Sequence, residues 1–100
     1  MSLGALSPQL MLNAYSKGIF PMAETAADPE LFWVDPKRRG ILPLDRFHIS
    51  RSMRRFLQRN SITATLNTNF DVVLFQCANR AETWINSTLH RNYKELHELG

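Results

Sequence analysis

The stretch 48–59, HISRSMRRFLQR, joins a cluster of arginines to the pattern of an amphipathic helix. Ser50 is placed to cap that helix, because its hydroxyl can accept a hydrogen bond from an amide of the first turn. Four arginines, which we call the arginine face, recur on one side: Arg51, Arg54, Arg55 and Arg59. Like charges at i, i+4 destabilise a helix by roughly a few tenths of a kcal/mol per pair, so the clustering favours an anionic partner such as phosphate. The alternative is a solvated helix face with weak local pairing.

Apolar residues form a second stripe on the same predicted helix, at i, i+4, i+7 and i+8. This apolar stripe consists of Ile49, Met53, Phe56 and Leu57. We expect it to pack on a core at the junction of two domains, which leaves the arginine face free. If Phe56 is fully buried, Phe56→Ala should destabilise the fold by roughly 3–5 kcal/mol.

Two tryptophans are candidates for contact with a flat ligand such as a nucleobase. Trp84 stands in a predicted loop, where its indole either covers a helix end or stacks on a base. Stacking of this kind contributes about 1–3 kcal/mol per base. Trp33 lies in an apolar run that predicts a strand, and this setting favours a core position.

No other catalytic or metal-binding pattern is legible in the sequence. A Ser/His/Asp set, a paired-carboxylate site and a glycine-rich phosphate loop are not evident. His90 and His97 are seven residues apart on one predicted helix, which is too far for one metal ion, and we expect a solvated face. Cys77 is the only cysteine, which excludes an internal disulfide and a cysteine zinc site, and we expect it in the core.

The bulk composition is that of one small globular domain or of a piece of a larger one. The 100 residues are 44% hydrophobic and 21% charged, with a formal net charge of +3. The arginines cluster between Lys37 and Arg59. No run approaches the roughly 20 apolar residues of a membrane span, and no secretory signal is visible, so we expect a cytoplasmic protein without membrane contact.

The pattern of the whole chain predicts an α+β fold with a break near Asn60. Helices are predicted to begin at the caps Ser7, Ser50, Asn69 and Asn86, and strands to lie at 31–34, 40–44 and 62–67. Gly18 is placed to end the first helix, and 19–22 is predicted as an apolar turn. The strand at 62–67 has no evident partner downstream. It pairs upstream, or with another chain in a homo-oligomer, or the chain stops before its partners are made.

A series of motifs, in order, resembles the leucyl/phenylalanyl-tRNA–protein transferases of bacteria. The motifs are AYSKGIFPM at 14–22, FWVDP at 32–36, HISRSMRRF at 48–56, TWI at 83–85 and LHELG at 96–100. Each is weak by itself, whereas their shared order and spacing are specific. The resemblance implies an aminoacyltransferase that moves Leu or Phe from aminoacyl-tRNA to proteins with N-terminal Arg or Lys. The marked proteins are then degraded through the N-degron (N-end rule) pathway.

The same resemblance implies a fold and a set of site residues. It implies a small N-terminal α/β domain, here 1–60, and the incomplete start of an acetyltransferase-like (GNAT) domain, here 61–100, with no metal or cofactor. The positions that match tRNA-backbone contacts are Arg51 and Arg55, then Arg54 and Arg59. Trp84 matches a tryptophan that lies against the aminoacylated 3′-terminal adenosine, and Met22 stands where some members carry a tryptophan with a similar job. Trp33 also matches a family position, although we expect it to be structural.

The family continues past the LHELG motif into the part with the amino-acid pocket and an Asp and a Gln that assist attack by the α-amino group. We therefore expect a truncated form, with no catalytic residue in this chain and no appreciable transfer by it alone. Two alternatives stay open. One is a tRNA-binding module without catalysis, and the other is a structural remnant that oligomerises through the strand at 62–67.

Overall fold

A computed structural model describes residues 5–100 and confirms the predicted α+β class. In this range, four helices accompany one two-stranded sheet: α1 (Pro8–Ser16), β1 (Phe20–Met22), β2 (Phe32–Val34), α2 (Arg51–Arg59), α3 (Phe70–Ala78) and α4 (Ser87–Leu99). The chain divides into two compact units. Unit 1 comprises the residues up to Pro36 and those from Asn67 onward, and unit 2 is Lys37–Leu66.

Helix α1 begins and ends where the sequence predicts. Pro8 opens the first turn, where its missing N–H would have had no partner, and the Ser7 hydroxyl accepts from the Leu10 N–H at 3.2 Å. Gly18 follows the helix at φ 75°, a left-handed conformation that glycine adopts without steric strain. Met11 and Ala14 are buried and give the helix its inner face.

The sheet is an antiparallel pair in which Phe20, Pro21 and Met22 lie opposite Val34, Trp33 and Phe32. The predicted strand at 31–34 is therefore confirmed. The turn predicted at 19–22 is extended before Pro21 as expected, but Phe20–Met22 forms the strand β1 rather than a turn. A three-residue strand is defined by its partner rather than by its own pattern, so no local signal in the sequence identifies it. Side chains alternate between faces, which places Trp33 with Pro21 and Met22 with Phe32 on the opposite face.

The core of unit 1 is a cluster of Ala23, Leu31 and Leu89, on which Leu6, Trp84, Ile85 and Tyr93 pack. Leu89 is 0% exposed. The Asn86 side chain caps α4 by accepting from the Leu89 N–H at 2.9 Å. The cap predicted at Asn86 is thus confirmed, and this residue is buried beside the core it supports.

Helix α3 and the last turn of α4 depart from expectation in their side chains. Asn69 precedes α3 as predicted but makes no side-chain capping hydrogen bond. The core position predicted for Cys77 is wrong: the thiol is exposed, because α3 buries Leu74 and leaves Val72, Val73 and Phe75 exposed along with Cys77. His97 was expected on a solvated face and instead stacks on Phe70, with ring centroids 4.5 Å apart and planes 7° from parallel.

Unit 2 contains the predicted basic helix, but the strands predicted at 40–44 and 62–67 are not formed. Ser50 caps α2, accepting from the Met53 N–H at 3.1 Å. The strands expected at 40–44 and 62–67 are wrong, since both stretches are irregular. No residue of unit 2 is buried. A strand is defined by pairing with a neighbouring strand, and the sheet of the described residues consists of β1 and β2.

No helix in the part of the chain that the structure describes is long and apolar enough to cross a bilayer.

Candidate nucleic-acid interface

The arginine face lies along one side of α2, and every residue of that helix is exposed. At 100° per residue, Arg51, Arg55 and Arg59 advance by a small rotation and by about 6 Å per step along the axis. Arg54 lies on the adjacent side of the same row. The helix contains no acidic residue that could neutralise these groups through an i, i+4 pair. The result is a row of guanidinium groups spaced like the successive anionic groups of an extended polymer.

The start of α2 adds to its attraction for anions. Helix N-termini carry a partial positive charge, which acidic residues in the first turn normally balance. Here the first turn has no acidic residue, and Arg51 stands at its first position. A phosphate near this end would meet a guanidinium and the helix dipole together, so anion binding removes an unfavourable interaction as well as creating a favourable one.

Charge is divided unevenly along the chain. Residues 37–66 hold eight of the 12 lysines and arginines and one of the nine acids, Asp45, so their net charge is +7. Since the whole chain is +3, the remaining residues carry −4. The cationic surface therefore belongs to unit 2, and a polyanion would be attracted to that unit in preference to unit 1.

The three residues predicted to contact the terminal adenosine, Met22, Trp33 and Trp84, all lie in unit 1 and do not share one surface. Met22 and Trp33 are on opposite faces of the β1–β2 pair, by the register of the ladder. Trp33 lines a shallow pocket of about 230 Å³ whose other walls come mainly from α1: Leu10, Asn13, Ala14, Lys17 and Ile19. One flat ligand cannot contact both residues through that sheet.

Trp84 is joined to the loop after β1 by its main chain and to the core by its ring. Its carbonyl accepts from the Ala23 N–H at 3.2 Å, and its half-buried side chain packs on the cluster formed by Ala23, Leu31 and Leu89. Beside it, loops 24–27 and 80–83 enclose a cleft of about 420 Å³ with acidic, basic and hydroxyl groups on its walls. The indole therefore has a structural role in unit 1.

Two contacts of unit 1 carry no signal in the sequence. Asn86 Nδ2 donates to the Asp28 carbonyl at 3.0 Å across 58 positions. The phenols of Tyr15 and Tyr93 share a hydrogen bond that joins α1 to α4. Burial and this bond raise the pKa of Tyr93 well above its ordinary value, and burial raises the pKa of Tyr15.

Within residues 5–100, no group of three or more histidine, cysteine or acidic side chains is arranged to hold a metal ion.

Comparison with known families accounts for almost all of the chain. Residues 4–37 match a family model described as the leucyl/phenylalanyl-tRNA protein transferase N-terminal domain. Residues 41–100 match the model of the leucyl/phenylalanyl-tRNA protein transferase itself. Both descriptions name the same class of protein, transferases that are named for a leucyl- or phenylalanyl-tRNA and a protein. The chain belongs to the leucyl/phenylalanyl-tRNA protein transferase family.

Curated relatives named leucyl/phenylalanyl-tRNA–protein transferase support this placement. One from Cereibacter sphaeroides (strain ATCC 17025) is 55% identical over 100 residues, which are all of this chain and 47% of the relative. One from Ruegeria sp. (strain TM1040) is 55% identical over 95 residues, or 95% of this chain and 45% of the relative. One from Dinoroseobacter shibae is 52% identical over 95 residues, or 95% and 43%. The chain thus spans about half the length of the curated relatives it matches.

Proposed function

We propose that this chain holds the acceptor end of an aminoacyl-tRNA from which Leu or Phe is transferred to proteins with N-terminal Arg or Lys. The observation that carries the proposal is the arginine face, an uninterrupted row of exposed guanidinium groups in a unit of net charge +7, within a member of this family. Phosphate is the ligand that such a row suits best, because each guanidinium can form two parallel hydrogen bonds. The product marks its protein for degradation.

In this proposal Arg51 and Arg55 contact the tRNA backbone directly, with Arg54 and Arg59 on either side. The half-buried indole of Trp84 receives the terminal adenosine on its uncovered part. Met22 adds an apolar contact in the same role, and it stacks less well than an aromatic ring. Trp33 faces a separate pocket, and we assign it to the framework of unit 1 rather than to the adenosine.

Transfer of the aminoacyl group requires mainly that the ester and the attacking α-amino group are correctly placed. An aminoacyl ester is already activated, so a neutral α-amino group attacks its carbonyl once the two are held together and the proton is removed. We propose that the Asp and Gln that assist this attack belong to an acetyltransferase-like (GNAT) domain of which 61–100 is the opening, with 1–60 as the N-terminal domain. The setting would be the cytoplasm, with no metal or cofactor.

A filter-binding assay with a salt titration tests the proposal. We expect charged and uncharged tRNA to bind the 100-residue chain, with a log–log salt slope of about −0.7 to −0.9 per phosphate neutralised. Four arginines predict a slope steeper than about −2. A slope near zero, or no binding at low salt, would remove the assignment of the arginine face.

A transfer assay separates binding from catalysis. Purified 1–100 is mixed with tRNA charged with labelled Phe and an Arg-initiated peptide. We expect tRNA binding without appreciable labelling of the peptide, because the residues assigned to this chain bind and position but move no proton. Labelling above a control without protein would show that the catalytic groups lie among these residues, and this part of the proposal would be wrong.

A further inference from the structure

The pocket that Trp33 lines, which we call the α1 pocket, lies wholly within unit 1 and has no part in the proposed function. Residues at i, i+3, i+4 and i+7 share one side of a helix. Four lining residues follow this spacing and so form one side of α1 and its C-cap: Leu10, Asn13, Ala14 and Lys17. Ile19, from the turn after α1, and the half-buried Trp33 of β2 complete the wall.

The turn that follows α1 fixes one end of the α1 pocket. The Ala14 carbonyl accepts from the Lys17 N–H at 2.9 Å and from the Ile19 N–H at 3.0 Å. Gly18, at φ 75°, reverses the chain between these two bonds, and its own N–H donates to the Tyr15 carbonyl. The backbone at Lys17 and Ile19 is therefore held by the chain itself. These bonds also occupy two carbonyls at the end of α1, so their repulsion of an anion is reduced.

The polar side chains of the α1 pocket are rich in hydrogen-bond donors. The Lys17 ammonium has three N–H donors and no acceptor, and the Trp33 indole has one donor and no acceptor. The Asn13 carboxamide adds an NH₂ group and supplies an acceptor, Oδ1. Within residues 5–100, none of these three side chains forms a hydrogen bond or an ion pair. Lys17 is the one charged residue of the lining, so the pocket joins a cation and unused donors to an apolar wall.

We propose that the α1 pocket binds the C-terminal residue of a partner polypeptide that ends in a large aliphatic side chain. The Lys17 ammonium and the Trp33 indole N–H donate to the terminal carboxylate, in charge-assisted hydrogen bonds. Asn13 Oδ1 accepts from the main-chain N–H of the same terminal residue. The aliphatic side chain packs on Leu10, Ile19 and the indole ring.

The size and charge of the α1 pocket favour this ligand over others. Its volume of about 230 Å³ is below the ~300 Å³ at which pockets for drug-sized ligands begin, so it suits one side chain with its carboxylate. A free amino acid is less well matched, because its ammonium group needs a carboxylate and the lining has no acidic residue. A polyanion is disfavoured by the net charge of −4 outside unit 2, whereas a single carboxylate meets Lys17 directly.

Heteronuclear NMR of the 100-residue chain tests the proposal with acetyl-Ala-Ala-Ile that carries a free carboxyl group. The chain has two tryptophans, and Trp33→Phe identifies which indole N–H signal belongs to Trp33. We expect this signal to shift saturably with the peptide while the Trp84 signal stays in place. The same peptide with a C-terminal amide should bind at least about tenfold more weakly, because the charged hydrogen bonds are lost.

Variants of Lys17 separate its charge from the general charge of unit 1. Lys17→Ala should weaken binding of the free-carboxyl peptide by about tenfold and remove most of the difference between acid and amide. Lys17→Arg keeps the cation and should bind within about threefold of the parent. Arg91→Ala, which removes an exposed cation of α4, is the matched control and should change the affinity by less than about twofold. The comparison of acid and amide on the parent chain needs no variant, so it remains decisive if a variant fails to fold.

Several outcomes would overturn the proposal. Equal affinity for the acid and the amide would show that the cation plays no part. Free isoleucine bound as tightly as the peptide would assign the pocket to amino acids instead. A shift confined to Trp84, or no saturable shift of Trp33 below about 10 mM peptide, would remove the site altogether. Filter binding of tRNA does not enter these outcomes, so failure of the proposed function leaves the α1 pocket unaffected.

Discussion

Asn86 donates a hydrogen bond from Nδ2 to the main-chain carbonyl of Asp28 at 3.0 Å, although the two residues are 58 positions apart. The Oδ1 of the same amide accepts from the Leu89 N–H at 2.9 Å and caps α4. At 4% exposure Asn86 has little access to water that could replace either bond. One buried amide thus starts the last helix and holds the loop that leads into β2.

Asn86→Ala should lower the free energy of unfolding by about 2–3 kcal/mol, since it removes a cap and leaves the Asp28 carbonyl without a donor. Asn86→Asp keeps the acceptor and loses the donor, so it should also destabilise the fold. The measurement is urea unfolding followed by circular dichroism. Asn69→Ala is the matched control, because Asn69 precedes α3 without a capping bond and its loss should change stability by less than about 0.5 kcal/mol. Equal effects at the two asparagines would contradict this account.

The contrast between Leu89 and Phe56 gives a second test. Leu89 is 0% exposed within the core, so Leu89→Ala should destabilise the chain by about 2–5 kcal/mol. The larger Phe56 is 52% exposed, so Phe56→Ala should change the stability of the 100-residue chain by less than about 1 kcal/mol. Thermal and urea unfolding of both variants check this order. A Phe56 effect as large as that of Leu89 would mean that the stripe is already buried in this chain.

The helix starts were predictable because they are decided within one turn. Ser7, Ser50 and Asn86 each accept from an amide three residues ahead, and such a bond needs only the local chain. Gly18 likewise marks the end of α1 by its own φ. The α+β class and the row of arginines on α2 follow from the same short-range periodicity.

Apart from β2, the strands and the buried contacts could not be predicted in this way, because each depends on a distant partner. Residues 62–67 have the β-branched alternation of a strand and form none, whereas 20–22 become β1 opposite β2. The stripe on α2 has the pattern of a buried face and stays exposed. The bond from Asn86 to Asp28 joins two stretches that no periodicity relates. The roles of the arginines and of Trp84 stay predictions.

The bond between Tyr93 and Tyr15 predicts a loss of stability at alkaline pH. Burial first, and then the neighbouring Tyr15, raise the pKa of Tyr93 above its ordinary value of 10.0. Below pH 10 both phenols are neutral in the folded and unfolded chain, so the bond is fully present. As the pH rises past that value the unfolded chain ionises first, which favours unfolding. Tyr93→Phe should be less stable than the parent at pH 7, and this deficit should shrink by pH 11 in urea titrations at both values. A deficit that is constant with pH would contradict the assignment.

Replacing one arginine of the arginine face by alanine should weaken tRNA binding without destabilising the fold. Arg55→Ala deletes one phosphate contact, so the log–log salt slope should become shallower by about 0.7 to 0.9. The free energy of unfolding should not fall, because alanine favours helix and the two like-charge pairs of Arg55, with Arg51 and with Arg59, are lost. Arg91→Ala on α4 removes the same charge from an exposed position of unit 1 and is the matched control. If both variants change the slope equally, tRNA senses net charge rather than the row on α2.

The role of Trp84 is tested by separating its packing from base contact. Because the ring packs on the core, Trp84→Ala should reduce both stability and binding, so a fall in affinity by itself would not identify a base contact. Two acceptor-stem minihelices that differ only in the 3′-terminal adenosine isolate that contact. In the parent the adenosine should improve affinity by about 1–3 kcal/mol, and in Trp84→Ala this gain should largely vanish. Trp84→Phe keeps an aromatic face and should retain part of it. If the gain is the same in all three proteins, Trp84 serves only the core and the adenosine lies elsewhere.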